Sequence, residues 1–468
     1  MWMLMPTTSQ SSLASLTEAY EKNRSTIEKR LVDFLSFPSI SADPKFALEL
    51  NACKTWLMKL LQEVGLQVEE WPTSGHPVVF ASYMGAGPSK PTILIYSHYD
   101  VQPVEPLSEW TTPPFEPTIR NGNIYARGAN DDKGQCLYVI EAIRALLERD
   151  GKLPVNVKLC IEAEEEMGSL GLAQIIPHKK KELAADTLIV VDFDLNGPDI
   201  PTVSLGFRGI ITMDVEVDCA TTDTHSGSYG GVLYNPNHAL IEILAKMRDK
   251  NGKVTVPGFY DDVKEIGPED RKQICFDLDH AEFEKSFGTQ PTGGEKDFSP
   301  LESSWTRPTL EVNGIGGGYI GTGFKTAIPA KAIAKVSCRL VPDQDPQKIA
   351  EEVASYMKSL APKGVKIDVQ IHGATRALRT TGSSQGNKAM AQAFSEVLGK
   401  PCIFNLSGGS IPVIATLAEA TKTDVVLMGY RLANDGMHAP NECFGLNRMK
   451  QGYLTIARAL EILGELNP

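Results

Sequence analysis

Five short stretches of this sequence hold side chains able to bind a metal ion or move a proton. Ser97-His98-Tyr99-Asp100 follows the apolar run Thr92–Tyr96, and alternation along a strand puts His98 and Asp100 on the same side. Histidine is a preferred zinc ligand, and a neighbouring carboxylate can fix its tautomer. Asp131 and Asp132 stand just before a predicted helix, where they could bind metal or cap the helix. Glu164, Glu165 and Glu166 follow the apolar run Val155–Ile161; such a run of acids is either a solvated loop or a metal ligand beside a general base. Asp192 closes the run Thr187–Val191, with Asp194 a rival two residues on. His438 stands alone, late in the chain. Each has an ordinary structural explanation when taken singly. The pattern is more informative: an acid or histidine follows three separate predicted strands, at 98, 166 and 192. Oxygen and imidazole donors without thiolate suit zinc, or manganese or cobalt.

The elements that must position these residues read as two kinds of unit. Apolar spacing predicts helices from Leu13 to Phe34 and from Ala47 to Val64, the second stopped by Gly65. Strands are predicted at Val78–Tyr83, Thr92–Tyr96, Val155–Ile161 and Thr187–Val191, with helices at Lys133–Leu147 and Leu170–Leu183. This α/β alternation implies a mixed, mostly parallel sheet between helices. Near Gly206 the character changes. Gly209–Cys219 and Ala332–Leu340 alternate apolar and polar residues, as half-exposed antiparallel strands do. Helices are predicted at Pro236–Met247, Pro268–Phe287 and Pro346–Leu360, a Gly/Pro-rich connection over Thr289–Gly323, and a strand at Val365–Ile371. The α/β pattern then returns, with helices at Gly386–Leu398, Ile411–Ala420 and Arg448–Leu463 and a strand at Val425–Met428. The expectation is an α/β domain, 1–206 and 384–468, with an α+β domain, 207–383, inserted in it.

Composition narrows the function. Among 468 residues, 46 basic and 58 acidic side chains leave a net charge of −12, which argues against nucleic acid as a main partner. Eight cysteines with no C-x-x-C pair exclude a thiolate zinc site and a disulfide scaffold. No run approaches the ~18 apolar residues of a membrane span, and Met1–Met5 is too short for a signal-peptide core. A soluble, cytoplasmic protein without membrane partners is expected.

The motifs SHYDVQP, GANDDKG, EEEMGS, VVDFD, THSGSYGG, KTAIPAK, CRLVPDQDP, GGSIPV and DGMHAPNE occur in this order between Ser97 and Glu442. In that order the chain resembles the carnosinase and non-specific dipeptidase branch of the aminoacylase/glutamate-carboxypeptidase superfamily of dinuclear zinc peptidases. The resemblance implies two zinc ions per subunit, one on His98 and Asp192, the other on Glu166 and His438, with Asp131 bridging. It implies a cis peptide between Asp131 and Asp132, Asp100 orienting His98, and Glu165 as general base; a one-residue slip among Glu164, Glu165 and Glu166 would reassign the base and the glutamate ligand. It further implies a homodimer in which the inserted lid and dimerisation domain supplies an oxyanion-stabilising histidine, His225, to the other subunit. Thr326, Arg339 and Ser410 become contacts for a substrate carboxylate, and Gly408 and Gly409 allow close backbone approach. The implied substrate is a small peptide or N-acyl amino acid. Rival readings are a deacylase of the succinyl-diaminopimelate desuccinylase or acetylornithine deacetylase type, and a non-catalytic metal-binding or scaffold protein.

Overall fold

The computed structural model describes residues 8–466; Met1–Met5 lie outside them. The chain divides into two compact units. The first comprises Met1–Leu205, Thr380–Asn405 and Thr416–Pro468; the second comprises Gly206–Arg379 and Leu406–Ala415.

The first unit is built on a mixed sheet. Its strand order runs Gln67–Trp71, Val78–Tyr83, Asn156–Glu162, Thr92–His98, Thr187–Val190, Asp424–Leu427, Thr202–Phe207. The four strands Asn156–Glu162, Thr92–His98, Thr187–Val190 and Asp424–Leu427 are mutually parallel. All seven residues of Asn156–Glu162 and all four of Thr187–Val190 are buried, as the centre of a sheet covered on both faces requires. Helices Ala47–Val64, Lys133–Asp150 and Leu446–Glu465 contribute Leu57, Leu61, Ile140, Ile143, Ile456 and Leu460 to the same core as Ile93, Ile95, Val157 and Leu159. Each fully buried aliphatic side chain contributes about 1.5–3 kcal/mol by leaving water. Gly65, at φ 96°, closes Ala47–Val64 in a left-handed conformation that costs glycine little.

The second unit is a four-stranded antiparallel sheet in the order Thr309–Gly317, Lys331–Leu340, Gly209–Asp218, Lys366–Thr375. Gly209–Asp218 alternates buried and half-buried residues along its whole length. The buried set Ile211, Met213, Val215 and Val217 packs with Leu240 and Ile243 of helix Pro236–Ala245 and with Ile349 and Val353 of helix Pro346–Ser359.

Four expectations are corrected. The helix over Leu170–Leu183 is broken into Leu170–Ile175, a 3-10 turn at Ile176–His178 and Lys180–Leu183, because Pro177 cannot donate to the ladder. The helix over Pro268–Phe287 is two, Pro268–Gln273 and His280–Phe287, the second started by the Asp279 carboxylate accepting from the Ala281 and Glu282 amides. The Gly/Pro-rich connection contains helix Pro300–Thr306 and strand Thr309–Gly317; Gly314, Gly316 and Gly317 erased the strand's side-chain pattern. Leu406–Ala415 groups with the second unit rather than with the closing α/β segment. The Arg208 amide donates to Gly409 O at 3.1 Å, and the Ser410 hydroxyl donates to Arg208 O.

Candidate metal centre

Because four central strands run parallel, their carboxyl ends lie along one edge of the sheet, where α/β folds bind ligands. His98 is the last residue of its strand. Asn156–Glu162 leads into the 3-10 turn Glu165–Met167, Thr187–Val190 into Asp192, and Asp424–Leu427 into Arg431. Asp131 arrives from the other direction, just ahead of helix Lys133–Asp150, and its peptide bond to Asp132 is cis. His438 sits in the loop before strand Cys443–Gly445.

These residues converge as two triads with one member in common. Donor atoms of His98, Asp131 and Asp192 all lie within 4.8 Å of one another, as do those of Asp131, Glu166 and His438. Asp131 divides its oxygens between them: Oδ1 is 3.2 Å from His98 Nε2, and Oδ2 is 2.9 Å from His438 Nε2. His438 Nε2 is also 3.2 Å from Glu166 Oε2, and His98 Nε2 is 3.9 Å from Asp192 Oδ2.

The charges are those of a site with too many carboxylates. Burial, joined by the charges of Asp192, Glu166 and Asp131, pushes Glu165 well above the usual carboxylate range. Burial, with Asp131 beside it, lifts Asp192 to about 7 against the pull of Arg431. Burial works against a charged His98, but Asp100, Asp131 and Asp192 outweigh it and hold the imidazole well above its ordinary value. Hydrogen bonds to Asp131 and Glu166 lift His438 to about 10. Burial alone would raise Asp131, yet His438, His98 and Arg431 together hold it well below its usual range. Hard oxygen and imidazole donors, packed this closely and short of positive charge, fit divalent cations such as zinc.

Surrounding groups hold the donors in place. The Asp100 carboxylate lies 3.3 Å from His98 Nδ1, and its other oxygen accepts from the Ser41 hydroxyl at 2.7 Å and the Glu166 amide at 3.2 Å. The three glutamates of the acidic run point to different tasks. Glu164 accepts from the His76 amide at 2.9 Å and the Gly171 amide at 2.8 Å. Glu166 accepts from Gln102 Nε2 at 2.8 Å. Glu165 makes no side-chain hydrogen bond among the described residues and feels Asp192, Glu166 and Asp131 electrostatically.

Two positioning residues escaped the sequence reading. Arg431 Nη1 is 2.5 Å from Asp192 Oδ1 and 3.4 Å from Asp131 Oδ1, while Nε holds Asp194 at 2.8 Å. A lone arginine in a loop carries no spacing signal. Glu442, fully buried, accepts from the amides of Gly128, Asn130 and Asp131 at 2.9, 3.0 and 3.2 Å and pairs with Arg127 at 2.7 Å. It ends the DGMHAPNE motif, which was the available signal. Glu442→Ala leaves Arg127 buried without its partner and strips three amides of their acceptor. It should lower stability by about 3–5 kcal/mol, with a smaller loss for Glu442→Gln, read from urea unfolding midpoints.

The remaining expected site residues belong to the second unit. His225 is exposed; its Nδ1 accepts from the Gly227 amide at 3.0 Å, leaving Nε2 to carry the proton. Its strand residues Thr224 and His225 pair with Ile328 and Ala327, and the Ser226 amide donates to Thr326 O at 3.0 Å, so Thr326 and His225 are neighbours. Arg339 Nη1 donates to Ser410 Oγ at 2.8 Å. Gly408 and Gly409 offer carbonyls rather than amides to Arg208, which donates to Gly408 O at 3.1 Å through Nε and to Gly409 O through its backbone.

Known proteins with the same organisation place the chain. Residues 94–462 match the model of peptidase family M20/M25/M40. The chain is similar to the Cys-Gly metallodipeptidase dug1 of Schizosaccharomyces pombe, 30% identical over 98% of this chain and 99% of the relative. It is also similar to the human Beta-Ala-His dipeptidase, 30% identical over 86% and 83% of the two chains. Its fold matches the crystal structure of an M20 family metallo-carboxypeptidase, Sso-CP2 of Sulfolobus solfataricus, with a TM-score of 0.85 and 34% identity over 94% and 99% of the chains. The chain therefore belongs to peptidase family M20/M25/M40 and is a metallopeptidase.

Proposed function

We propose that this chain hydrolyses dipeptides bearing a free C-terminal carboxylate, using two divalent metal ions, zinc the first choice. The observation that carries the reading is the pair of donor triads sharing Asp131. His98 and Asp192 would hold one ion, Glu166 and His438 the other, and Asp131 both. When bound, such ions acidify water and polarise a scissile carbonyl.

The chain's own groups do the rest. Glu165 takes a proton from the attacking water and hands it to the departing amine. The commitment of Glu164 to two backbone amides leaves Glu165 as the better base. Asp100 fixes the tautomer and direction of His98, its backbone carbonyl 3.1 Å and its carboxylate 3.3 Å from Nδ1. His225, with its Nε2 proton free, would stabilise the developing oxyanion from a second copy of the chain in a homodimer. Arg339, Ser410 and Thr326 would receive the substrate's carboxylate. All eight cysteines are unpaired, which suits a reducing compartment, and we place the enzyme in the cytoplasm. No described helix is long and apolar enough to cross a membrane.

Assay of the zinc-loaded protein on Ala-Gly-type dipeptides and on N-succinyl-diaminopimelate tests this reading. Turnover of the dipeptides supports it. Turnover of the succinylated compound alone makes the enzyme a deacylase, and turnover of neither would favour a binding protein.

Metal uptake should also release protons. Below about pH 10 the metal-free His438 is mostly protonated, and His98 likewise sits well above its ordinary value. Metal binds only the neutral imidazole, so loading at pH 7 should expel about two protons per chain from these two rings. Affinity should therefore rise with pH. Calorimetry in buffers of different ionisation enthalpy reads the proton count, and zero release would contradict the assignment of both histidines.

A further inference from the structure

The second unit contains an open cavity of about 490 Å³, whose lining includes Arg208, Arg248 and Arg339 together with Leu278, Phe283 and Leu301. Three arginines face one acid there, Glu311. Arg208 lies between strands Thr202–Phe207 and Gly209–Asp218. Its Nε donates to Gly408 O at 3.1 Å, and its Nη1 is 3.5 Å from Thr309 Oγ1. Its carbonyl accepts from the Ser410 hydroxyl, the same hydroxyl that accepts from Arg339 Nη1 at 2.8 Å. The two arginines are therefore tied to each other through Ser410. A side chain at Gly408 would stand 3.3 Å from Arg208 Nη2 and 3.1 Å from Ser304 Oγ, so glycine there makes room for the guanidinium.

Every hydrogen bond of Arg208 and Arg339 goes to a neutral oxygen; neither forms an ion pair with a carboxylate among the described residues. Burial, and then the charge of Arg339, push Arg208 down to about 10, and burial also lowers Arg339. Glu311 attracts Arg208 without bonding to it. Two partly buried guanidiniums with unused N–H groups and no counter-ion cost desolvation energy that a bound anion would offset. A single carboxylate matches the planar forks. A second would meet Glu311, and the apolar lining residues Leu278, Phe283 and Leu301 suit a hydrocarbon group instead.

We infer that Arg208 joins Arg339 in a two-arginine subsite for the substrate's C-terminal carboxylate, and that the cavity beside them takes a bulky apolar side chain on that residue. The inference rests on the proposed role of Arg339 and adds Arg208 and the side-chain preference to it.

The test uses zinc-loaded protein and three probes that cannot be hydrolysed as peptides: 3-phenylpropanoate, 3-phenylpropanamide and propanoate, measured by calorimetry. Wild type should bind 3-phenylpropanoate at least about ten-fold tighter than either of the others. Arg208→Gln should erase about ten-fold of the affinity for 3-phenylpropanoate and leave the amide unchanged, and Arg208→Lys should fall between. Phe283→Ala should remove the advantage of the phenyl group while keeping that of the carboxylate. Equal affinity of wild type and Arg208→Gln for 3-phenylpropanoate, with the circular dichroism unchanged, overturns the inference. So does an equal loss for acid and amide. Kinetics on Ala-Phe and Ala-Gly separate this inference from the wider reading. If neither dipeptide is cleaved while the binding pattern holds, the dipeptide reading falls and the subsite stands. If both are cleaved with KM unchanged in Arg208→Gln, the subsite falls alone.

Discussion

Glu165→Gln should lower kcat by roughly a hundred- to ten-thousand-fold while the protein keeps its full complement of metal. The substitution is nearly isosteric and removes only the ability to accept a proton. Glu165 makes no side-chain hydrogen bond among the described residues, so no structural partner is lost with the charge. Unfolding midpoints should therefore stay about the same. Glu164→Gln provides the contrast, because that carboxylate accepts from the amides of His76 and Gly171. Its loss should appear in stability before it appears in kcat. Steady-state kinetics with elemental analysis on both variants decides the matter. Unchanged turnover in Glu165→Gln, paired with collapse in Glu164→Gln, would move the base by one residue and require a different path for the proton.

The ease of reading this chain varied with how local each signal was. The continuous apolar runs Thr92–Tyr96 and Thr187–Val191 announced buried parallel strands, and the residues just past their ends, His98 and Asp192, fall in one cluster. A strand whose neighbours are parallel can place its following residue in only one neighbourhood, so fold class and donor set became legible together. The choice among Glu164, Glu165 and Glu166 was not legible from the residues alone, since composition treats them alike; only the partners of each carboxylate separate them. The roles of Arg431 and Glu442 were hidden for a different reason. Arg431 meets Asp192 across 239 positions of sequence, and Glu442 meets Arg127 across 315. No spacing rule reaches that far, and an arginine or glutamate in a loop looks solvated until the fold buries it. Strand Thr309–Gly317 was lost because its glycines carry no side chains from which a period could be read.

Asp131→Ala should empty the centre of both metals, and this outcome separates a shared ligand from an ordinary one. The Asp131 carboxylate divides its work, with Oδ1 toward His98 and Arg431 and Oδ2 toward His438. Alanine removes both oxygens, whereas asparagine would keep one that can still bind a cation. Without Asp131, one triad is left with His98 and Asp192 and the other with Glu166 and His438. Two protein ligands fall short of the three usual at a catalytic zinc ion, so neither half should hold metal through gel filtration. Stabilisation by bound metal should vanish with it, worth about 2.7 kcal/mol at a hundred-fold excess of metal over Kd, so the melting temperature of the variant should stop responding to added zinc. His438→Ala is the control. It removes a donor from one triad only and should leave about one ion per chain, held by His98, Asp131 and Asp192. Elemental analysis of the two variants side by side gives the answer. One firmly held ion in Asp131→Ala, matching His438→Ala, would mean that Asp131 serves a single metal and that the two triads are not coupled through it.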